Sequence, residues 1–371
     1  MKKRVVIVVN TAWNVYNFRL GLIKSLQKSG YEVSVIAPKD MYVEKLLEYK
    51  IKHYNVEMDN KGSNVLKDIG LILQYYKILK TIKPDIILSY TIKPNIYTSF
   101  VSKILDIPVV CNVSGLGSAF VSQTFVSHIV KFLYKVAFLF ANRVFFQNIS
   151  DQQFFISHKL VDKNVSQLIA GSGIDTALYQ PTSIKQSLKP KFIMVARLIK
   201  DKGVLEYIEA AKVIKSKYKD IEFALLGDFY FDNPTSITHQ EVQKWCDDGI
   251  IEYLGVSDNV KDIVQEYDCV VLPSYREGLS RVLLEAASMS KPIVTTDIAG
   301  CKEVVEDGVN GFLCKVKDVE SLVEALEKMI KLSTTQREEM GLKGREKVIK
   351  EFSEDLVIDA YFEVISELLD G

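Results

Sequence analysis

Pro273-Ser-Tyr-Arg-Glu-Gly-Leu-Ser-Arg-Val-Leu-Leu-Glu-Ala-Ala287 is the stretch on which the reading of this chain turns. Just before it, Cys269–Leu272 is an unbroken apolar run, the pattern of a strand buried on both faces. Glu277 and Gly278 then fall in a loop, and a helix is expected to open near Ser280 with Glu285 in its second turn. A strand leading through a short loop into a helix is a binding site in outline. The amides of Gly278, Leu279 and Ser280 are expected to point out of the helix N-terminus, where the dipole favours an anion. Gly278 has no Cβ, so a ligand can come close to the backbone there. Glu277 and Glu285 can grip hydroxyls on either side of a phosphate. The plainer alternative makes Glu277 a helix-start carboxylate and Glu285 part of a solvated face. Val282, Leu283, Leu284 and Ala286 leave that helix apolar on most sides, which puts Glu285 at a rim or in a pocket.

Outward from this stretch, 371 residues suffice for two domains, each with its own core. Charged residues at 25% and apolar ones at 48% describe a globular protein, neither disordered nor membrane-spanning. No uncharged apolar run reaches the roughly eighteen residues a spanning helix needs. Met-Lys-Lys-Arg leads into Val5–Val9, an apolar run too short for a signal peptide and suited to a first buried strand. Five scattered cysteines, at 111, 246, 269, 301 and 314, suggest a reducing cytoplasm with neither a disulfide framework nor a zinc site.

The zero net charge conceals an asymmetry. Residues 1–170 hold 22 Lys and Arg against 11 Asp and Glu, and the remainder holds 25 against 36. The basic N-terminal half implies an anionic partner. Nucleic acid lacks any supporting motif; an anionic membrane surface or a diphosphate-bearing acceptor fits better.

In the first half, strand patterns at Arg4–Val9, Glu32–Ala37, Lys52–Glu57, Asp85–Ser89, Pro108–Val113, Arg143–Gln147 and Val165–Ala170 alternate with helical ones. The second half repeats the alternation from Lys191–Ala196 onward. The fold class is therefore α/β, with parallel sheets covered by helices on both faces and ligands at the carboxyl ends of the strands. Gly171, Gly173 and the poorly periodic Pro181–Pro190 mark a linker. The apolar stretch Phe120 to Arg143 carries Lys131 and Lys135 one turn apart. It reads either as a buried helix or as an interfacial one whose lysines meet lipid phosphates.

The opening stretch resembles the donor-sugar signature of retaining family 4 glycosyltransferases, Pro-Ser-x-x-Glu-Gly-x-x-x-x-x-x-Glu-Ala, with every fixed position filled. The resemblance extends over nearly the whole chain. It implies a GT-B fold, two Rossmann-like domains facing across a cleft, with the C-terminal helix crossing back. Residues 1–172 with about 354–371 would bind the acceptor, 173–190 would link, and 191–353 would bind the nucleotide sugar. It further implies that Arg197 and Lys202, in the loop Arg197-Leu-Ile-Lys-Asp-Lys-Gly203, hold the donor diphosphate. Fixed cations of this kind suit enzymes of the family, which require no metal. Glu277 would hold donor hydroxyls, Glu285 the ribose, Gly227 would lie near the donor, and the backbone at Val256 would read uracil. Glu303 either touches the donor or begins a helix.

On the acceptor side, family members usually carry glycines in the loop after the first strand; Asn10–Asn17 has none. It resembles instead a subgroup with Tyr16-Asn-Phe-Arg19, which makes Asn17 and Arg19 acceptor candidates. Arg19 either meets an acceptor diphosphate or forms a salt bridge to the sheet edge. Lys93, in Tyr90-Thr-Ile-Lys-Pro94, and Ser114 and Gly115, in Ser114-Gly-Leu-Gly117, complete the set. Many relatives have His or Glu near Ser114, and a hydroxyl cannot serve as their base at neutral pH.

These features look like enzymes extending sugars on undecaprenyl diphosphate, which implies a UDP-sugar donor, N-acetylhexosamine first and galactose, glucose or a uronic acid as alternatives, and a polyprenyl-diphosphate-linked acceptor. A sugar-nucleotide 2-epimerase would need acid–base histidines, and none of the four (53, 128, 158, 239) lies in a strand-end loop. A dehydrogenase lacks its Gly-x-Gly-x-x-Gly, and a non-enzymatic assembly scaffold is separated by detectable sugar transfer.

Overall fold

The structure, a computed structural model, describes residues 2–60, 64–116, 125–182, 189–230 and 233–371, with the backbone alone at 125 and 126. Gly117, Phe120 and residues 183–188 of the expected linker lie outside the described residues. The chain divides into two compact units: Met1–Gly173 with Glu354–Gly371, and Ile174–Ser353.

In the first unit β1 (Arg4–Val8), β2 (Glu32–Ala37), β3 (Lys52–Asn55), β4 (Ile86–Tyr90), β5 (Val109–Val113), β6 (Arg143–Phe146) and β7 (Ser166–Leu168) form one parallel sheet, ordered β3-β2-β1-β4-β5-β6-β7. The strands read as continuous β-branched runs because both faces are covered. The pleat sorts their side chains. Val5, Ile7 and Val9 enter one core, with Leu22, Ile23 and Leu26 of the helix Leu20–Lys28. Val6 and Val8 enter the other, with Leu71, Tyr75 and Leu79 of the helix Val65–Ile82 and Tyr134 and Phe138. The last helix, Glu354–Asp370, buries Val357, Ile358, Tyr361, Val364 and Ile365 in the first of these cores. At about 1.5–3 kcal/mol for each large apolar side chain removed from water, that contribution rivals the net stability of a domain, about 5–15 kcal/mol.

In the second unit β8 (Lys191–Val195), β9 (Glu222–Leu226), β10 (Glu252–Tyr253), β11 (Cys269–Leu272), β12 (Ile293–Thr296) and β13 (Gly311–Cys314) are parallel in the order β10-β9-β8-β11-β12-β13. In both sheets the strand order reverses beside the first strand, between β1 and β4 and between β8 and β11. Loops at the carboxyl ends of those four strands thus sit at the switch points where open α/β sheets bind ligands.

Three expectations need correction. Residues 174–179 are packed rather than linking: Ile174 N donates to Phe352 O (2.9 Å), and Arg345 Nη1 and Nη2 donate to the Tyr179 (3.0 Å) and Thr176 (3.2 Å) carbonyls. Asn10–Asn17 is not an open loop, because Thr11 caps a helix, Ala12–Phe18, that begins at once. Between β12 and β13 there are only turns. There the Glu303 carboxylate accepts the Gly300 amide (2.6 Å) and Asn310 Oδ1 the Glu306 amide (2.7 Å), side-chain bonds that compete with helix formation. No helix among the described residues is long and apolar enough to cross a membrane.

Candidate active site

The loop after β11 is held from two sides. From one, Asp201 O accepts Tyr275 N (2.9 Å) and Ser274 Oγ (3.3 Å), fastening the loop to the turn Lys200–Lys202 that follows β8. Gly203 closes that turn at φ +78°, and a Cβ on it would lie 2.0 Å from Pro273 O, so the two loops touch through a position only glycine fills. From the other side, Thr296 Oγ1 donates to Ser274 O (2.5 Å). Gly300, at φ +85°, packs so closely that a Cβ would meet Glu277 Cβ, Glu277 O and Gly278 O, each at 2.7 Å.

This clamping brings Lys202 and Glu277 together across 75 positions of sequence: Lys202 Nζ donates to Glu277 Oε1 at 2.5 Å, with the side chains 19% and 11% exposed. The ion pair leaves lysine two further N–H donors and the carboxylate a second oxygen. Beneath them burial, with the Glu277 charge adding to it, pushes the Cys301 thiol up to about 12. Arg197, two residues beyond β8, is exposed with its guanidinium 5.0 Å over the Tyr230 ring, a cation–π contact.

Ser280 is the N-cap of the helix Arg281–Ser288, and Glu285 falls in its second turn. The three amides expected to face a ligand are not equivalent. Ser280 N already donates to Gly300 O (2.9 Å), which takes it out of the anion site, whereas Leu279 N has no hydrogen bond among the described residues. Gly227 is likewise engaged at both ends, its N–H donating to Gly255 O (2.9 Å) and its carbonyl accepting from Tyr253 Oη (2.9 Å). Val256 stands 64% exposed in the loop after β10. Glu285 does not lie on a solvated face: Arg281 Nε holds its Oε1 at 3.0 Å. Tyr179 stands beside that pair, its phenol pushed up to about 12 by burial and then by the Glu285 carboxylate. Sequence reading missed Tyr179 and Gly300. A glycine in a strand-end loop was a usable signal for Gly300; nothing local marks Tyr179.

In the first unit the acceptor candidates fall into two groups. Arg19 is the joint between the helices Ala12–Phe18 and Leu20–Lys28, not part of a first helical turn. It is 4% exposed, its guanidinium carbon lies 4.2 Å over the Tyr90 ring, and its Nε has no hydrogen-bond partner among the described residues. The salt bridge to the sheet edge is not made; among the described residues no carboxylate pairs with Arg19. Ser114 Oγ, at the carboxyl end of β5, donates to Asn112 Oδ1 (3.2 Å), and Gly115 follows at φ +127°. The other two candidates are spoken for. Lys93 sits in the helix Ile92–Leu105 and is neutralised by Asp68 at 2.6 Å, both largely buried. Asn17 Nδ2 bonds within its own helix, to Trp13 O (2.9 Å).

Of the stretch Phe120 to Arg143, the described helix is not buried all round. The helix Phe125–Ala137 buries Tyr134 and Ala137 and turns Ile129, Phe132 and Lys135 outward.

Among the described residues no cluster of three or more His, Cys, Asp or Glu side chains forms a metal-binding group.

Residues 4–148 match the family described as glycosyl transferase 4-like, and residues 178–347 match glycosyl transferases group 1. The chain is 30% identical over 330 residues to the N,N'-diacetylbacillosaminyl-diphospho-undecaprenol alpha-1,3-N-acetylgalactosaminyltransferase of Campylobacter jejuni, covering 84% of this chain and 85% of that protein. It is 26% identical over 317 residues to the UDP-Gal:alpha-D-GlcNAc-diphosphoundecaprenol alpha-1,3-galactosyltransferase of Escherichia coli, covering 81% and 80%. In fold it resembles Anabaena HepE in complex with UDP and glucose, with a TM-score of 0.81 at 20% identity over 98% of this chain and 100% of that one. With both halves matched and most of its length shared at that identity, the chain belongs to the family 4 glycosyltransferases, hexosyl-transferring enzymes of the GT-B fold.

Proposed function

We propose that the protein transfers an N-acetylhexosamine, N-acetylgalactosamine first, from its UDP derivative to a polyprenyl-diphosphate-linked glycan with retention of configuration. The Lys202–Glu277 pair is the observation that carries this reading. It fixes, at a switch point, one cation for a diphosphate and one carboxylate for sugar hydroxyls, positioned before any donor arrives. Arg197 and the Leu279 amide lie on the same loops and add to the positive field around the departing UDP. Glu285, held by Arg281, takes the ribose hydroxyls, and the backbone at Val256 meets the base.

The acceptor hydroxyl then attacks from the face the diphosphate leaves. The bond from the anomeric carbon to the β-phosphate oxygen breaks as the new glycosidic bond forms. That phosphate oxygen accepts the hydroxyl proton, so no protein base is needed and Ser114 is not asked to be one. Arg19 supplies the acceptor's diphosphate with a counter-charge. A buried guanidinium without a carboxylate is costly unless an anion compensates it, and the acceptors in the names of the two relatives above carry a diphosphate.

The enzyme works at the inner face of the membrane without crossing it. On the helix Val65–Ile82, Leu66, Ile69 and Leu73 form an exposed apolar stripe followed by Lys77 and Lys80; Phe132 and Lys135 present a second. Apolar side chains flanked by lysines suit an anionic lipid surface. Flotation with phosphatidylglycerol vesicles tests this, and failure to float would remove the membrane from the reading.

The decisive experiment is UDP release across a panel of UDP-sugars, with and without a short polyprenyl-diphosphate-linked acceptor. Acceptor-dependent release with a UDP-N-acetylhexosamine is expected, and release with none of the donors would overturn the assignment.

A further inference from the structure

Four segments far apart in sequence send polar side chains to one buried place at the carboxyl end of the first sheet. Asn112 of β5 is fully buried, and its Nδ2 donates to the hydroxyl oxygen of Tyr361 on the last helix at 3.0 Å. Its Oδ1 accepts from Ser114 Oγ and from Gln147 Nε2, each at 3.2 Å. The Asn112 carbonyl is held separately by Asn95 Nδ2 at 2.8 Å. The Tyr361 ring, wedged edge-on against Phe145 (4.9 Å between centroids), stands 6.2 Å from the ring of Tyr90, the ring that carries Arg19 on its face.

An amide side chain can be turned end for end, and its neighbours decide which end faces where. As placed, Ser114 and Gln147 both donate to the oxygen, and the nitrogen must then find an acceptor on the opposite side. In this core that acceptor is the Tyr361 hydroxyl. Without it Asn112 would bury an unsatisfied N–H pair, and the orientation that holds Ser114 and Gln147 would lose its counterweight. The same ring backs Tyr90, so one residue of the last helix supports both the cation and the neutral polar groups.

We propose that Tyr361 is a positioning residue for acceptor binding: through Asn112 it holds Ser114 and Gln147, and through Tyr90 it backs Arg19. This rests on the acceptor reading given above, and it brings Gln147 into that site beside Ser114.

The test compares Tyr361→Phe, Ser114→Ala, the double variant and Arg19→Ala, in the full-length protein at a temperature where each is folded by circular dichroism. Tyr361→Phe is expected to raise the acceptor KM about three- to tenfold, the scale of one hydrogen bond, with the donor KM unchanged. Because Tyr361 acts on Ser114 through Asn112, the double variant should fall short of the product of the two single effects. An unchanged acceptor KM in Tyr361→Phe, even with a lowered melting temperature, overturns the proposal, as do single effects that multiply fully. Should Tyr361→Phe not fold, Gln147→Ala decides: the proposal requires a raised acceptor KM there, and an unchanged one overturns it. If Arg19→Ala and Ser114→Ala leave the acceptor KM alone, the acceptor reading itself has failed. If they raise it and Tyr361→Phe does not, only the positioning role has.

Discussion

Gly300→Ala adds one carbon to a residue that touches no proposed ligand, yet the structure makes it a severe test of the donor loop. The new Cβ would lie 2.7 Å from three atoms of Glu277 and Gly278, where ordinary contact starts at 3.4 Å. Two of the three are backbone carbonyl oxygens, which no side-chain rotation can move aside. The loop must therefore shift by about 0.7 Å, carrying Glu277 away from Lys202 and disturbing the Ser280 amide bond to Gly300 O. At φ +85° alanine also incurs left-handed strain of about 1–2 kcal/mol, roughly 2–8 °C in the melting of a unit this size. Misplacement of a positioning group by about 1 Å costs on the order of a hundredfold in rate. We therefore expect kcat/KM for the UDP-sugar to fall between tenfold and a hundredfold in a protein that still folds. UDP-release kinetics and thermal unfolding measure the two effects separately. Turnover within threefold of the parent, alongside the expected drop in melting, would refute the reasoning that Glu277 must be held where it is.

Other outcomes follow from particular contacts. Lys202→Ala removes the cation and leaves Glu277 without its partner, and should cost about 2–4 kcal/mol in the transition state; near-native turnover would remove Lys202 from the mechanism. Turnover is expected to survive exhaustive chelation, because the leaving charge falls on Arg197 and Lys202; loss on chelation and recovery with a divalent ion would contradict this. Burial depresses the pKa of His53, against the hydrogen bond to Ala37 O that raises it. The unfolded chain therefore binds the extra proton first, and stability is present above about pH 6.5 and lost as pH falls below it. His53→Gln should flatten that acid limb in urea unfolding, and an unaltered limb would discount His53. Ile365→Ala, at a fully buried position, should destabilise the first unit by about 2–5 kcal/mol; a loss below about 0.5 kcal/mol would mean that the last helix adds little to that core.

The parallel alternation was legible because strands covered on both faces must be apolar throughout, and Val5–Val9 and Cys269–Leu272 display it without interruption. The opening of the helix at Ser280 and the second-turn place of Glu285 were equally readable, since helix periodicity is local. What stayed hidden is non-local pairing. Nothing in the residues around Ser280 says that its amide is taken by Gly300, and nothing around Lys93 says that Asp68 neutralises it. The Asn112–Tyr361 contact spans 249 positions. Arg19 shows the same limit from the other side: a sequence displays an arginine but not the lack of a carboxylate within reach. Glu303 begins no helix for a related reason, because Glu303 and Asn310 spend their hydrogen bonds on nearby backbone.

The return of Glu354–Asp370 to the first core also fixes an order of events during synthesis. The sheet built by residues 4–168 leaves the ribosome lacking Val357, Ile358, Tyr361, Val364 and Ile365, while Ile174–Ser353 holds its own core within one continuous segment. At roughly 5–20 residues per second, the 180 intervening residues keep the first sheet waiting on the order of ten to forty seconds. The half translated first is therefore the half finished last, and its uncovered face is where a chaperone would bind the nascent chain.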